Sequence, residues 1–188
     1  MRYFLLRRPR TNMVKFLEDH IFSPCERVRC LTLDLLCGAV PRLEDKVDSL
    51  LQPLVYKVVQ CLSEPSIKDV KMKALHFLRT YCRHTRDMLM FIKTFYNSIM
   101  DSNSDIIKIS CLHGISIIFD QDIGDKLYSA LVPLVSSFLK GKSHPSVFLA
   151  CYRALRRIHE RVGDERFYNL MSSSCQEAKR NLYELLDF

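Results

Sequence analysis

One pattern recurs four times along this chain, as VRCLTLDLL (Val28–Leu36), VKMKALHFL (Val70–Leu78), IKISCLHGI (Ile107–Ile115) and VFLACYRAL (Val147–Leu155). The first residues of these segments lie 42, 37 and 40 positions apart. Self-similarity at such a period marks a chain built from stacked supersecondary units. Within each segment the apolar residues fall three and four apart, the spacing of one helix face. No stretch sustains the two-residue alternation of a strand. Stacked helical pairs bury a shared apolar seam and present an extended surface rather than enclosing a reaction chamber. Three segments carry a cation in second position (Arg29, Lys71 and Lys108), and the fourth has Phe148.

A period near 40 belongs to HEAT and armadillo repeats, each a helical hairpin. The expected fold is therefore all-α, a HEAT/armadillo-type α-solenoid of about four to five antiparallel hairpins. A compact, non-repeating bundle is the other all-α possibility. The pattern predicts helices over Met13–Phe22, Glu26–Val40, Val47–Leu62, Lys68–Cys82, Thr85–Met100, Asp105–Phe119, Asp125–Leu139, Ser146–Val162 and Glu165–Leu186. Pro41 is expected to stop the second of these. The chain reads as a single domain, 1–188, of a size that also suits one part of a longer solenoid. A basic segment occupies 1–12. A helix within 164–188 either caps the last repeat or docks onto another segment.

The formal charge of +7 and pI near 9.0 favour an anionic partner without naming it. Eight cysteines bring no CxxC pair or other zinc-site spacing. Seven of them (Cys30, Cys37, Cys61, Cys82, Cys111, Cys151 and Cys175) sit in helical patterns, where a reduced thiol behaves as a small hydrophobe. A reducing compartment fits them best. The opening MRYFLLRRPR has an apolar run too short for a secretory core or a membrane span. No cofactor, metal, membrane or small-molecule substrate is expected.

Helical geometry at 100° per residue gathers Lys68, Lys71, Arg79 and Arg83 within an arc of about 120°. It gathers Arg153, Arg156, Arg157 and Arg161 within about 140°. Lys140 and Lys142 precede the second ridge, and Arg2, Arg7, Arg8 and Arg10 form an N-terminal cluster. Such ridges suit phosphates, which supply affinity and position without reading bases. They also suit a purely solvated face, and Asp69, Glu160, Asp164 and Glu165 dilute the field.

Nothing points to catalysis. The chain has no phosphate-binding glycine loop, HExxH motif or nucleophile elbow. Cys82 and His84 diverge on a helix. Asp120, Asp122 and Asp125 read as turn and cap residues. His113 is expected on the apolar side of its helix as a core or boundary residue. Tyr56, Tyr81, Tyr96, Tyr128 and Tyr152 are expected to pack in the core with hydroxyls at the rim.

The run SLLQPLVYKVVQCLSEPSIKDVKMKALHFLRTYC (Ser49–Cys82), followed by DIIKISCLHGISIIFDQ (Asp105–Gln121), resembles the C-terminal HEAT domain of the condensin G subunit. The likeness lies in a leucine-rich helix feeding a PLV segment, then a V-K-x-x-A-L helix, then an I-K-x-x-x-L helix. It implies a non-catalytic subunit of a chromosome complex, in the nucleus or cytoplasm. Its partners would be a kleisin subunit, the SMC-containing condensin complex and double-stranded DNA held without sequence preference. The two cation ridges are the candidates for phosphate contact. Importin, cohesin-regulator and tubulin-binding TOG arrays share the repeat pattern, so a protein-interaction scaffold without nucleic acid is the alternative.

Overall fold

The computed structural model describes residues 11–63, 68–118, 124–139 and 144–172. The described residues are all-α, with nine helices and no strand. They are α1 (Thr11–His20), α2 (Glu26–Leu43), α3 (Val47–Gln60), α4 (Lys68–His84), α5 (Met88–Met100), α6 (Asp105–Ile118), α7 (Asp125–Ser137), α8 (Pro145–Val162) and α9 (Asp164–Met171). Short 3-10 turns at Glu44–Lys46 and Cys61–Ser63 flank α3. The N-terminal basic cluster and the end of the expected last helix lie outside the described residues.

The apolar spacing forms these helices, and local chemistry sets their ends. On α4, Val70, Ala74, Phe77, Leu78 and Tyr81 recur three and four apart and are all buried. Pro145 opens α8, where a missing N–H costs no helical bond. The His144 ring accepts from the Ser146 amide. At the other end Gly163, at φ 80°, donates its amide to the His159 carbonyl at 2.9 Å. Pro41 does not stop α2, which continues to Leu43. Proline removes one N–H close to the helix end, and its own ring is exposed. The reversal comes at Glu44 instead, with φ 46° and ψ −119°. That left-handed geometry strains a residue with a Cβ.

The chain forms two compact units, Met1–Ser98 and Ile99–Phe188. In the first, α2 packs along α4, α1 touches α2 and α3, and α3 packs on α4. Asp34 meets Lys73 at 2.8 Å, and Cys37 lies against the His76 carbonyl and the Thr80 hydroxyl. Residue numbers rise together across this seam, so α2 and α4 run in the same direction. The same displacement joins the other layer. Glu18 of α1 meets Lys57 of α3 at 3.0 Å, 39 positions on, the separation that also joins Cys37 to His76 and Asp48 to Asp87.

Asp48, in the first turn of α3, gathers the chain around the start of α5. Its carboxylate accepts from Tyr81 Oη at 2.8 Å, Thr85 Oγ1 at 2.5 Å, the Arg86 amide at 2.9 Å and the Asp87 amide at 3.3 Å. The Arg86 and Asp87 amides turn toward α3, while the Thr85 amide still donates to the Tyr81 carbonyl of α4, which is why α5 begins at Met88 rather than Thr85. Asp87 then caps α5 by accepting from the Met90 amide. Burial alone would raise the Asp48 pKa. The hydrogen bonds from Thr85, Arg86, Tyr81 and Asp87 outweigh it and hold the carboxyl below its ordinary value.

In the second unit α6 packs along α8, while α7 and α9 touch each other and α8. Arg166 of α9 pairs with Asp125 of α7 and lies 5.6 Å above the Tyr128 ring. Cys111 of α6 and Cys151 of α8 are buried, and burial pushes both thiols up to about 12.

Hydrogen bonds to a charged group contribute about 1.5–3 kcal/mol, less when the group is partly exposed as Asp48 is. Asp48→Asn should therefore destabilise the first unit by about 2 kcal/mol in urea unfolding. A lowered folded-state pKa gives stability that is complete above the unfolded carboxyl value of 3.8 and drains as pH falls below it. Acid titration of Asp48→Asn should lack that component of the loss. Glu44→Gly should raise stability by about 1 kcal/mol, read as an upward shift in melting temperature.

Candidate functional site

The strongest charge feature is the outer face of α8. Val147, Ala150, Cys151, Ala154, Leu155 and Ile158 are buried on one side. That orientation leaves Arg153, Arg156, Arg157 and Arg161 exposed on the other. Arg156 Nε lies 3.0 Å from Glu160 Oε1, and Arg157 Nη1 lies 3.3 Å from Oε2. One carboxylate thus sits between two guanidiniums and offsets part of their charge. Arg153 makes no ion pair among the described residues. Glu160, read as a diluting charge in sequence, is a direct partner of the ridge.

The α4 candidates lie in the first unit. Lys68 and Arg83 are exposed, while Lys71 and Arg79 are half-buried. Lys140 and Lys142 fall outside the described residues. Each helix therefore assembles its own candidate cations, four on α4 and four on α8, and the two sets belong to different units.

The repeated second-position cation proves to be two different things. Arg29 is buried, with 6% of its surface exposed. Its Nε donates to the Ile21 carbonyl at 3.0 Å, and Nη2 lies 3.7 Å from Cys61 Sγ. One guanidinium thus ties the segment after α1 to the end of α3. Lys71 and Lys108 are half-buried and have no equivalent bond to a buried carbonyl among the contacts described.

Other residues also depart from expectation. His113 is exposed rather than turned to the apolar side, because Cys111, Leu112 and Ile115 take the buried positions around it. Tyr81 and Tyr128 are buried as expected, Tyr152 is half-buried, and Tyr56 and Tyr96 are exposed. Tyr81 stacks in a chain of rings with Phe77 and Phe91, and Phe91 meets Phe95 edge-on. Its hydroxyl pKa is raised by burial and by the acceptor Asp48. The described cysteines are free thiols: Cys25 exposed, Cys30 half-buried, and Cys37, Cys61, Cys82, Cys111 and Cys151 buried.

Among the described residues no cluster of three or more His, Cys, Asp or Glu side chains could hold a metal ion. No helix there is long and apolar enough to cross a membrane. An open depression of about 350 Å³ lies at the α8–α9 junction, lined by Val162, Gly163, Asp164, Glu165, Arg166 and Asn169.

No protein-family model and no curated protein matches the chain. Among solved structures, the crystal structure of an engineered protein from the Northeast Structural Genomics Consortium aligns over 94% of this chain and 78% of its own, at 14% identity and a TM-score of 0.42. Likeness of that degree assigns no function.

The two kinds of second-position cation are separable by substitution. Lysine cannot present a fixed fork to a carbonyl and a sulfur at once. Arg29→Lys should cost about 2 kcal/mol in urea unfolding, whereas Lys71→Ala should change stability by less than about 1 kcal/mol.

Proposed function

We propose that this chain is a non-catalytic, HEAT/armadillo-type scaffold of a condensin-type chromosome complex, holding a kleisin subunit and contacting duplex DNA phosphates without sequence preference. The repeat part of the reading draws on the shared displacement: 39 positions relate α1 to α3, α2 to α4, and the starts of α3 and α5. Layers in which next-but-one helices stack at one offset are what a helical repeat array requires. The complex and the kleisin partner rest on the resemblance of Ser49–Cys82 and Asp105–Gln121.

The observation that carries the nucleic-acid part is the arginine face of α8. Four guanidiniums lie on one exposed side of a helix whose opposite side is buried. Guanidinium forks match phosphate oxygens bidentately, and each contact made releases counterions from the duplex. Glu160 holds Arg156 and Arg157 in place in the free protein and competes with phosphate for them. Lys68, Lys71, Arg79 and Arg83 are a second set of candidates, tested in the same way.

Fluorescence anisotropy with duplexes of unrelated sequence tests the reading. Affinity should vary little with sequence and fall steeply with salt. The triple variant Arg153→Glu, Arg156→Glu, Arg157→Glu should lose on the order of 100-fold in affinity and flatten the salt slope by about 3, with helicity kept. Glu160→Gln should bind several-fold tighter. Wild-type affinity in the triple variant would remove α8 as the DNA face. Co-purification with a co-expressed kleisin subunit tests the complex separately.

A further inference from the structure

The first unit carries a surface that phosphate contact does not explain. On α2, Cys30, Asp34 and Cys37 turn toward α4, since Asp34 meets Lys73 and Cys37 meets Thr80. Arg29, Leu36 and Val40 turn into the core. At 100° per residue the remaining direction belongs to Arg27, Leu31, Gly38 and Arg42, within an arc of about 60°. All four are exposed. On α4 the corresponding arc holds Met72, His76, Arg79 and Arg83, also within about 60°. Because α2 and α4 run parallel, both arcs open on the same side, away from the α1–α3 layer.

Leu31 and Met72 are the apolar centre of this surface, 55% and 56% exposed. Across the seam, Asp34 sits opposite Lys73, so Leu31 and Met72 lie at nearly the same height on neighbouring helices. Arginines stand at both ends: Arg27 below, and Arg42, Arg79 and Arg83 above. The seam acid Asp34 is paired with Lys73. Gly38 sits between Leu31 and Arg42, and a Cβ there would meet nothing within 4 Å. Packing within the chain gives no reason for glycine at this exposed helical position, where it disfavours the helix. It leaves room for a partner backbone to approach α2.

We propose that this face of α2 and α4 docks an acidic peptide carrying a bulky apolar anchor. The anchor covers Leu31 and Met72, the main chain passes over Gly38, and the carboxylates meet the surrounding guanidiniums. Charge complementarity selects an anionic occupant, and the apolar centre selects peptide over nucleic acid, because phosphates gain nothing from Leu31 or Met72. The proposal rests on the protein-scaffold half of the function above and is independent of the α8 face.

The test uses the whole chain and three labelled probes: a short Asp/Glu peptide with a central Leu-Phe pair, the same peptide with Ser-Ser there, and a DNA duplex. The Leu-Phe peptide should bind, and the Ser-Ser peptide about tenfold more weakly. Leu31→Gln with Met72→Gln, and separately Arg27→Glu with Arg42→Glu, should each weaken the Leu-Phe peptide about tenfold with circular dichroism unchanged. Gly38→Gln, which fills the saddle without touching the core, should do the same. The α8 triple variant should bind this peptide as wild type does, so failure of the DNA reading and failure of this one are told apart. Equal binding of the two peptides, absence of binding, or duplex affinity that falls with Leu31→Gln and Met72→Gln would each overturn the proposal.

Discussion

Parallel packing of helices two apart in the chain is the constraint from which the first unit's surfaces follow. Polar contacts from α1 to α3, from α2 to α4, and at the starts of α3 and α5 join residues 39 positions apart. A common offset means that a helix cannot rotate about its axis without breaking its match to the neighbour. Rotation is what decides which side chains are buried, so the seam sets the exposed arcs. Arg27, Leu31 and Arg42 reach solvent because Cys30, Asp34 and Cys37 are committed to α4.

Apolar burial supplies most of the drive for this packing, but two polar groups fix its detail. Arg29 bridges the Ile21 carbonyl and Cys61, joining the segment after α1 to the end of α3. Asp48 binds a hydroxyl from α4, a second from Thr85 and two amides ahead of α5. Arg29 is a buried charge, whereas Asp48 is half-buried. Donors or acceptors converge on each, and removal of either leaves polar partners unsatisfied. Such ties favour one arrangement of the helices over sliding alternatives of similar apolar area.

The sequence made the helices visible because their periodicity is local. Lys68–His84 and Pro145–Val162 differ from the expected spans by one or two residues. Pro41 misled because its local preference to end a helix is outweighed at the final turn of α2. Arg29 looked equivalent to Lys71 and Lys108, since position in a motif says nothing about which carbonyl lies within reach. Asp48 carried no signal beyond its place in the Val47–Leu62 helix, because its donors lie 33 to 39 positions away. The α8 ridge was legible from angles alone, and its partial neutralisation by Glu160 followed from three- and four-residue spacing. The α2 surface was missed for a different reason: Leu31 passes for one more core leucine until the seam with α4 fixes the rotation.

Burial of Cys111 and Cys151 gives the second unit a chemical record of its own motions. Burial pushes both thiols up to about 12, which keeps them protonated at neutral pH, and the thiolate is the reactive form. An alkylating reagent therefore reaches α6 and α8 only when the packing between them opens, while exposed Cys25 of the first unit reacts from the closed state. The ratio of labelling at these positions reports how often the support beneath the arginine face comes apart, with no residue substituted.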